Sequence, residues 1–132
     1  MKPAKLYLIT VIALAMLCCT KEPTPSLLEG KWIIKSAYLA DNEYKDGKSY
    51  LEFHACGDSV CTGIDYDGED QTTGVYTWTM DEQNNILSIT DTLSAGGGYN
   101  ADWLIESMTA KKMTISANTG IFGTMKMELK RD

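Results

Sequence analysis

The chain has 132 residues, with 12 basic and 18 acidic side chains and a single histidine. That length supports one small domain, and so acidic a chain with no run of lysine or arginine would repel a phosphate backbone, which excludes nucleic acid as a partner. No motif for a cofactor, a phosphate-cradling loop or an activated nucleophile is present, so neither a cofactor nor an enzymatic activity is expected.

Read from the start, Lys2 and Lys5 precede the run Leu6 to Leu17, which ends at Cys18 and Cys19. This is the order of a secretory signal, and twelve residues fall short of the ~20 that a spanning helix needs. A cysteine closing such a segment resembles the lipobox of bacterial lipoproteins, whose thiol is acylated and becomes the mature N-terminus. The small residue that precedes the acylated position there is matched better by Cys18 than by Leu17, so Cys19 is the expected lipidation site. Residues 1–18 are then the signal and residues 19–26, with Pro23 and Pro25, a tether. The resemblance implies a protein held in the cell envelope, at the outer membrane, by its lipid. Removing Lys2 and Lys5 leaves 10 basic against 18 acidic groups, a formal charge of −8.

From Leu27 to the C-terminus, short β-rich runs alternate with Gly, Asn and Asp clusters about every 8 to 12 residues, the mark of an all-β barrel or sandwich. Eight strands are predicted, at 31–40, 49–56, 60–66, 74–80, 86–91, 99–107, 112–117 and 121–130. Joined by short turns, they suggest an antiparallel up-and-down barrel, which leaves no open edge. Facing residues in a hairpin must share a face. Cys56 opposite Cys61 sets Ala55 on Thr62, Phe53 on Ile64 and Leu51 on Tyr66, and places a disulfide across the turn in an exported protein. Trp78 would face Ile89, and Met80 Leu87. A loop at Asn118-Thr119-Gly120 would pair Ala117 with Ile121, Ile115 with Gly123 and Met113 with Met125.

Gly30-Lys31-Trp32, after Ser26-Leu27-Leu28-Glu29, resembles the Gly-X-Trp opening of lipocalins. With Trp103-Leu104-Ile105-Glu106-Ser107-Met108-Thr109 and Met113-Thr114-Ile115, the span Leu27 to Arg131 is similar to the lipocalin-like domain of small lipoproteins from Bacteroidetes-type bacteria. The resemblance implies a domain over residues 27–132 in which a helical turn precedes Trp32, and Trp32 plugs one barrel end against Lys130 or Arg131. The Thr-Asp-X-X-Tyr signature of true lipocalins is missing, so no ligand pocket carries over.

The inward candidates are Phe53, Ile64, Tyr76, Trp78, Ile89, Trp103, Met113, Met125 and Met127. They would either line a pocket for a small apolar ligand or fill the core. Asp65-Tyr66-Asp67-Gly68-Glu69-Asp70 has the oxygen ligands of a Ca²⁺ loop without its spacing, and a solvated turn is expected instead. His54 is expected on the outer face beside Cys56. Gly96-Gly97-Gly98 is read as a flexible connection at the barrel mouth. Two functions remain: a lipid-anchored barrel that binds a small apolar ligand or an envelope partner, and a packed barrel that works as an interaction or inhibitor module.

Overall fold

The computed structural model describes residues 21–57, 60–91, 99–118 and 123–132. A single helical turn, α1 (Pro25–Leu28), precedes nine strands. These are β1 (Gly30–Leu39), β2 (Asn42–Lys45), β3 (Tyr50–Phe53), β4 (Cys61–Asp67), β5 (Thr72–Asp81), β6 (Ile86–Asp91), β7 (Ala101–Met108), β8 (Lys112–Asn118) and β9 (Thr124–Arg131). Each strand from β3 onward pairs antiparallel with the next, and β9 returns to β1. The barrel of eight antiparallel strands is therefore closed, as the alternating pattern predicted. The ninth strand, β2, was not predicted. It pairs with the second half of β1 through a two-residue turn whose residues, Ala40 and Asp41, both have positive φ, at 47° and 70°. Such turns are normally announced by Asn-Gly or Asp-Gly, and Ala-Asp gives no such signal.

α1 begins inside the expected tether, because Thr24 caps it: its hydroxyl accepts from the Leu27 amide at 3.2 Å and Pro25 stands at the first helical position. The turn seats Leu28 in the core and presents its carbonyl to Trp32 Nε1 at 2.8 Å. Arg131 fastens the same end. Its guanidinium lies 4.3 Å from the Trp32 ring and donates to the carbonyls of Glu29 (2.6 Å), Ala110 (2.8 Å) and Leu27. Gly30 is required here. Its φ is +113°, and a Cβ would come within 2.8 Å of the guanidinium. Of the two terminal basic residues, Arg131 packs on Trp32; Lys130, one residue earlier, is exposed on the other face.

Two registers depart from expectation. In the β3–β4 hairpin, Phe53 faces Gly63 and Glu52 faces Ile64, one residue from the predicted pairing. The tip retains the Cys56–Cys61 pairing, and the disulfide is present, so the slip occurs between tip and body. Its cause is Tyr76. The Tyr76 ring lies across Gly63, where a Cβ would come within 2.3 Å of it, and its hydroxyl donates to the Glu52 carbonyl at 2.7 Å. Ile64, predicted to face inward, accordingly lies on the outer face opposite Val75, and Asp65 takes the inward position beside Leu51. In the last hairpin the pairs are Ala117–Met125, Ile115–Met127 and Met113–Leu129. The shift of four residues preserves each side chain's face, and the predicted three-residue loop falls largely outside the described residues. The Trp78–Ile89 and Met80–Leu87 pairs occur as predicted.

The core fills the half of the barrel nearer α1. Trp32, Phe53, Tyr76, Trp78, Leu87, Trp103, Met113, Ile115 and Met127 are buried there, joined by Ile89 and Leu129. Phe53 meets Tyr76 and Trp78 edge-on, with ring centroids 5.6 and 5.5 Å apart. Each buried indole N–H reaches a backbone carbonyl, Trp78 on Thr62 at 2.9 Å and Trp103 on Tyr99 at 2.8 Å, so no tryptophan carries an unmet donor into the core.

Arg131→Ala removes a charged fork and its contact with Trp32, and should lower unfolding free energy by about 2 to 4 kcal/mol in urea titrations. Arg131→Lys should recover less than half of that, because an ammonium cannot span three carbonyls. The disulfide closes a short loop, so replacing Cys56 and Cys61 together by serine should cost only about 2 kcal/mol. A cooperative unfolding transition should survive.

Candidate functional site

The two ends of the barrel differ in chemistry. At the α1 end the interior is packed. Toward the other end the inward positions shrink, with Ala37 on β1, Gly74 on β5, Ala101 on β7 and Ala117 on β8, and Met125 on β9 is only half-buried. These small side chains, with Leu39 opposite Met125 at the rim, lie above Tyr76, Trp103 and Met127, and together they line the cup of the mouth.

Carboxylates enter it, Asp65 from β4 and Asp91, opposite Tyr76, from β6. Asp65 faces inward from β4, lying over Gly74, where a Cβ would sit 2.2 Å from its Oδ1. Gly74 thus makes room for this carboxylate. Asp65 Oδ1 is buried and has no hydrogen-bond partner among the described residues. Burial pushes the Asp65 carboxyl up, and the neighbouring charges of Asp91 and Asp67 push the same way. Burial and the negative charge of Asp65 also raise the hydroxyls of Tyr76 and Tyr99, which stay neutral.

Tyr99 enters from the connection between β6 and β7. It packs against the core, yet with Asp46, Ser49 and Asp67 from the far side of the mouth it borders a groove of about 520 Å³. The ring therefore reaches across the cup from β7 toward the β2–β3 and β4–β5 turns. The latter turn is built by Asp67, whose Oδ1 accepts from the amides of Glu69 (2.8 Å) and Asp70 (3.2 Å). Its carboxylates diverge. Asp65 points inside and Asp67 folds back on its own turn, which is not the convergent set of a Ca²⁺ loop.

Of the predicted pocket residues, Phe53, Tyr76, Trp78, Ile89 and Trp103 are all buried and form core rather than wall. Met125 borders the cup, and Ile64 lies outside. Asp65 was missed as an inward residue because the register was read one residue off. His54 lies on the outer face, its Nε2 2.9 Å from Glu52 Oε1, with both side chains partly exposed. Cys19 and Gly96-Gly97-Gly98 lie outside the described residues. No protein-family model matches the sequence, and no curated protein or solved structure matches it either.

The raised Asp65 has a stability consequence. A carboxyl that holds its proton more tightly in the folded chain stabilises the fold fully below the unfolded value, and the benefit is lost as pH rises through the raised folded value. Asp65→Asn should therefore be more stable than the native chain at pH ~7, and the gap should close near pH ~3, where both carboxyls are protonated. Urea unfolding at the two pH values checks this. A constant difference would mean that the charge is not what matters.

Proposed function

We propose that this chain is a lipid-anchored binding protein of the bacterial cell envelope, a lipocalin-like lipoprotein acylated at Cys19 and held on the outer membrane. Its barrel mouth takes a small, largely apolar molecule that carries a hydrogen-bond donor, most naturally an amine. The observation behind this reading is the buried, unpartnered Oδ1 of Asp65 in a cup of small side chains. A buried acceptor without a donor costs roughly 1 to 3 kcal/mol, more when it is charged, and a ligand N–H would relieve that cost. The neutral phenol of Tyr99 and the thioether of Met125 supply apolar contact around it. The charged, apolar and cysteine order of residues 2–19 supports export and acylation. The Gly30, Trp32 and Arg131 closure agrees with the lipocalin-like resemblance.

A second reading, an interaction module with its interior filled, draws on β2. That strand pairs on one side only, and its Tyr44 is 57% exposed. An open strand edge can accept a partner's strand.

The two readings separate in a titration of intrinsic tryptophan and tyrosine fluorescence with a long-chain alkylamine and the matching alkyl carboxylate. The cup reading expects saturable binding of the amine at least about tenfold tighter than of the carboxylate, with the preference lost in Asp65→Asn. No saturable response, or equal binding of both probes, would overturn it and favour the packed module.

A further inference from the structure

The basic residues, scattered in the sequence, are gathered by the fold. Residues 30–39, 109–118 and 124–132, which make up β1, β8, β9 and the turn and terminus at the α1 end, carry seven basic side chains against two acidic ones, a net of +5. The other residues from 21 onward carry three against sixteen, a net of −13. The register sets Lys112 directly opposite Lys130, an arrangement of like charges that weakens a sheet. Lys35, Lys112 and Lys130 share an outer groove of about 490 Å³ with Thr114 and Glu128. Lys31 and Lys126 each have a carboxylate, from Asp132 at 3.3 Å and Glu106 at 3.1 Å. Lys35, Lys112 and Lys130 have no ion-pair partner among the described residues. In a chain with this excess of acid, three lysines left unpaired on one wall point to an anion supplied from outside.

The chain's path says what that anion is. The Lys21 amide donates to the Met108 carbonyl at 3.0 Å, which fastens the start of the described chain to the end of β7, beside the turn that leads to Lys112. Cys19 is two residues upstream, and two residues reach at most ~7 Å. An acyl group there would hold this end of the barrel at the level of lipid headgroups. We propose that the outer wall formed by β1, β8 and β9 is a membrane-facing surface, with Lys35, Lys112 and Lys130 resting on anionic lipid headgroups and the acidic mouth turned away. Anionic headgroups attract each such lysine, and repel the mouth, over about a Debye length. The orientation rests on the lipid-anchor reading above, whereas the affinity of the wall for anionic lipid does not.

The test uses the full chain as its host exports it, mixed with neutral phosphatidylcholine vesicles or with vesicles rich in phosphatidylglycerol. A brief pulse of an acetylating reagent followed by digestion and mass spectrometry reads the reactivity of each lysine. On the anionic vesicles Lys35, Lys112 and Lys130 should react about fivefold more slowly than on neutral ones, the equivalent of one lysine's attraction to an anionic surface. Lys45 and Lys48, near the mouth, should be unchanged, and high salt should abolish the difference. In Lys112→Glu combined with Lys130→Glu, the protection of Lys35 should disappear. Equal reactivity on both vesicle types would overturn the proposal. The N-terminal peptide in the same digest shows whether Cys19 carries acyl chains. Protection without acylation would sink the anchor and leave the surface standing, and acylation without protection would do the reverse.

Discussion

The barrel depends on the seam where its last strand meets its first, and Arg131 is the side chain that holds it. Closing β9 on β1 joins residues about a hundred positions apart, so the chain must surrender much conformational freedom before that pairing gives anything back. One guanidinium concentrates the return. It binds carbonyls before β1 and after β7, and covers the indole that fills the barrel end. The three carbonyls belong to turns and a helix end, whose acceptors no ladder satisfies. A charged fork at this point serves the backbone and the core together, and the eight barrel strands are held in a closed ring, with β2 left as an edge beside β1.

From that end the interior is laid down in sizes. Tryptophans and Phe53 fill the first layers, and Tyr76 then leans across Gly63 to the β3 backbone. The lean has a consequence one layer higher. It draws β4 one residue along β3, which turns Ile64 out and Asp65 in. A carboxylate thereby reaches a site that an alternating pattern would give to an isoleucine, and Gly74 supplies the space. A hydrophobic side chain would have closed the cup. The polar intruder and the missing side chains beneath it belong to one packing solution.

Much of this was legible in the sequence and some was not. The closed end at Trp32 and the terminal basic pair came from the lipocalin-like resemblance, whereas alternation and turn spacing located eight strands, because burial period is written residue by residue. The Cys56–Cys61 pair was legible for the same reason. The β3–β4 slip was not, since it depends on a ring from β5 that fits only over the glycine opposite it on β4 and reaches the backbone of β3, two strands away in the sheet order. β2 was hidden because Ala40 and Asp41 adopt left-handed backbone without the residues that usually signal it. The basic wall was invisible too. Lys35, Lys112 and Lys130 are separated by up to 95 positions in the chain and meet only once the barrel has closed.

These features divide the labour between the ends. Packed aromatics, the Arg131 clamp and the Lys21–Met108 bond all lie at the end from which the chain enters, so the stabilising contacts are grouped there. The mouth contributes few buried apolar contacts and carries an unmet acceptor. Local stability follows the density of such contacts, so the mouth is the part of the barrel that can open at least cost. A ligand that pairs with Asp65 would act on that weak end without disturbing the strong one. A wall charged opposite to the rest of the domain would keep the weak end facing away from the surface to which the strong one is tied. Binding and attachment then make opposite electrostatic demands, a carboxylate kept free of cations and a row of lysines that outnumbers the acid beside it. The closed sheet meets both by placing them on different faces and at different heights of one barrel.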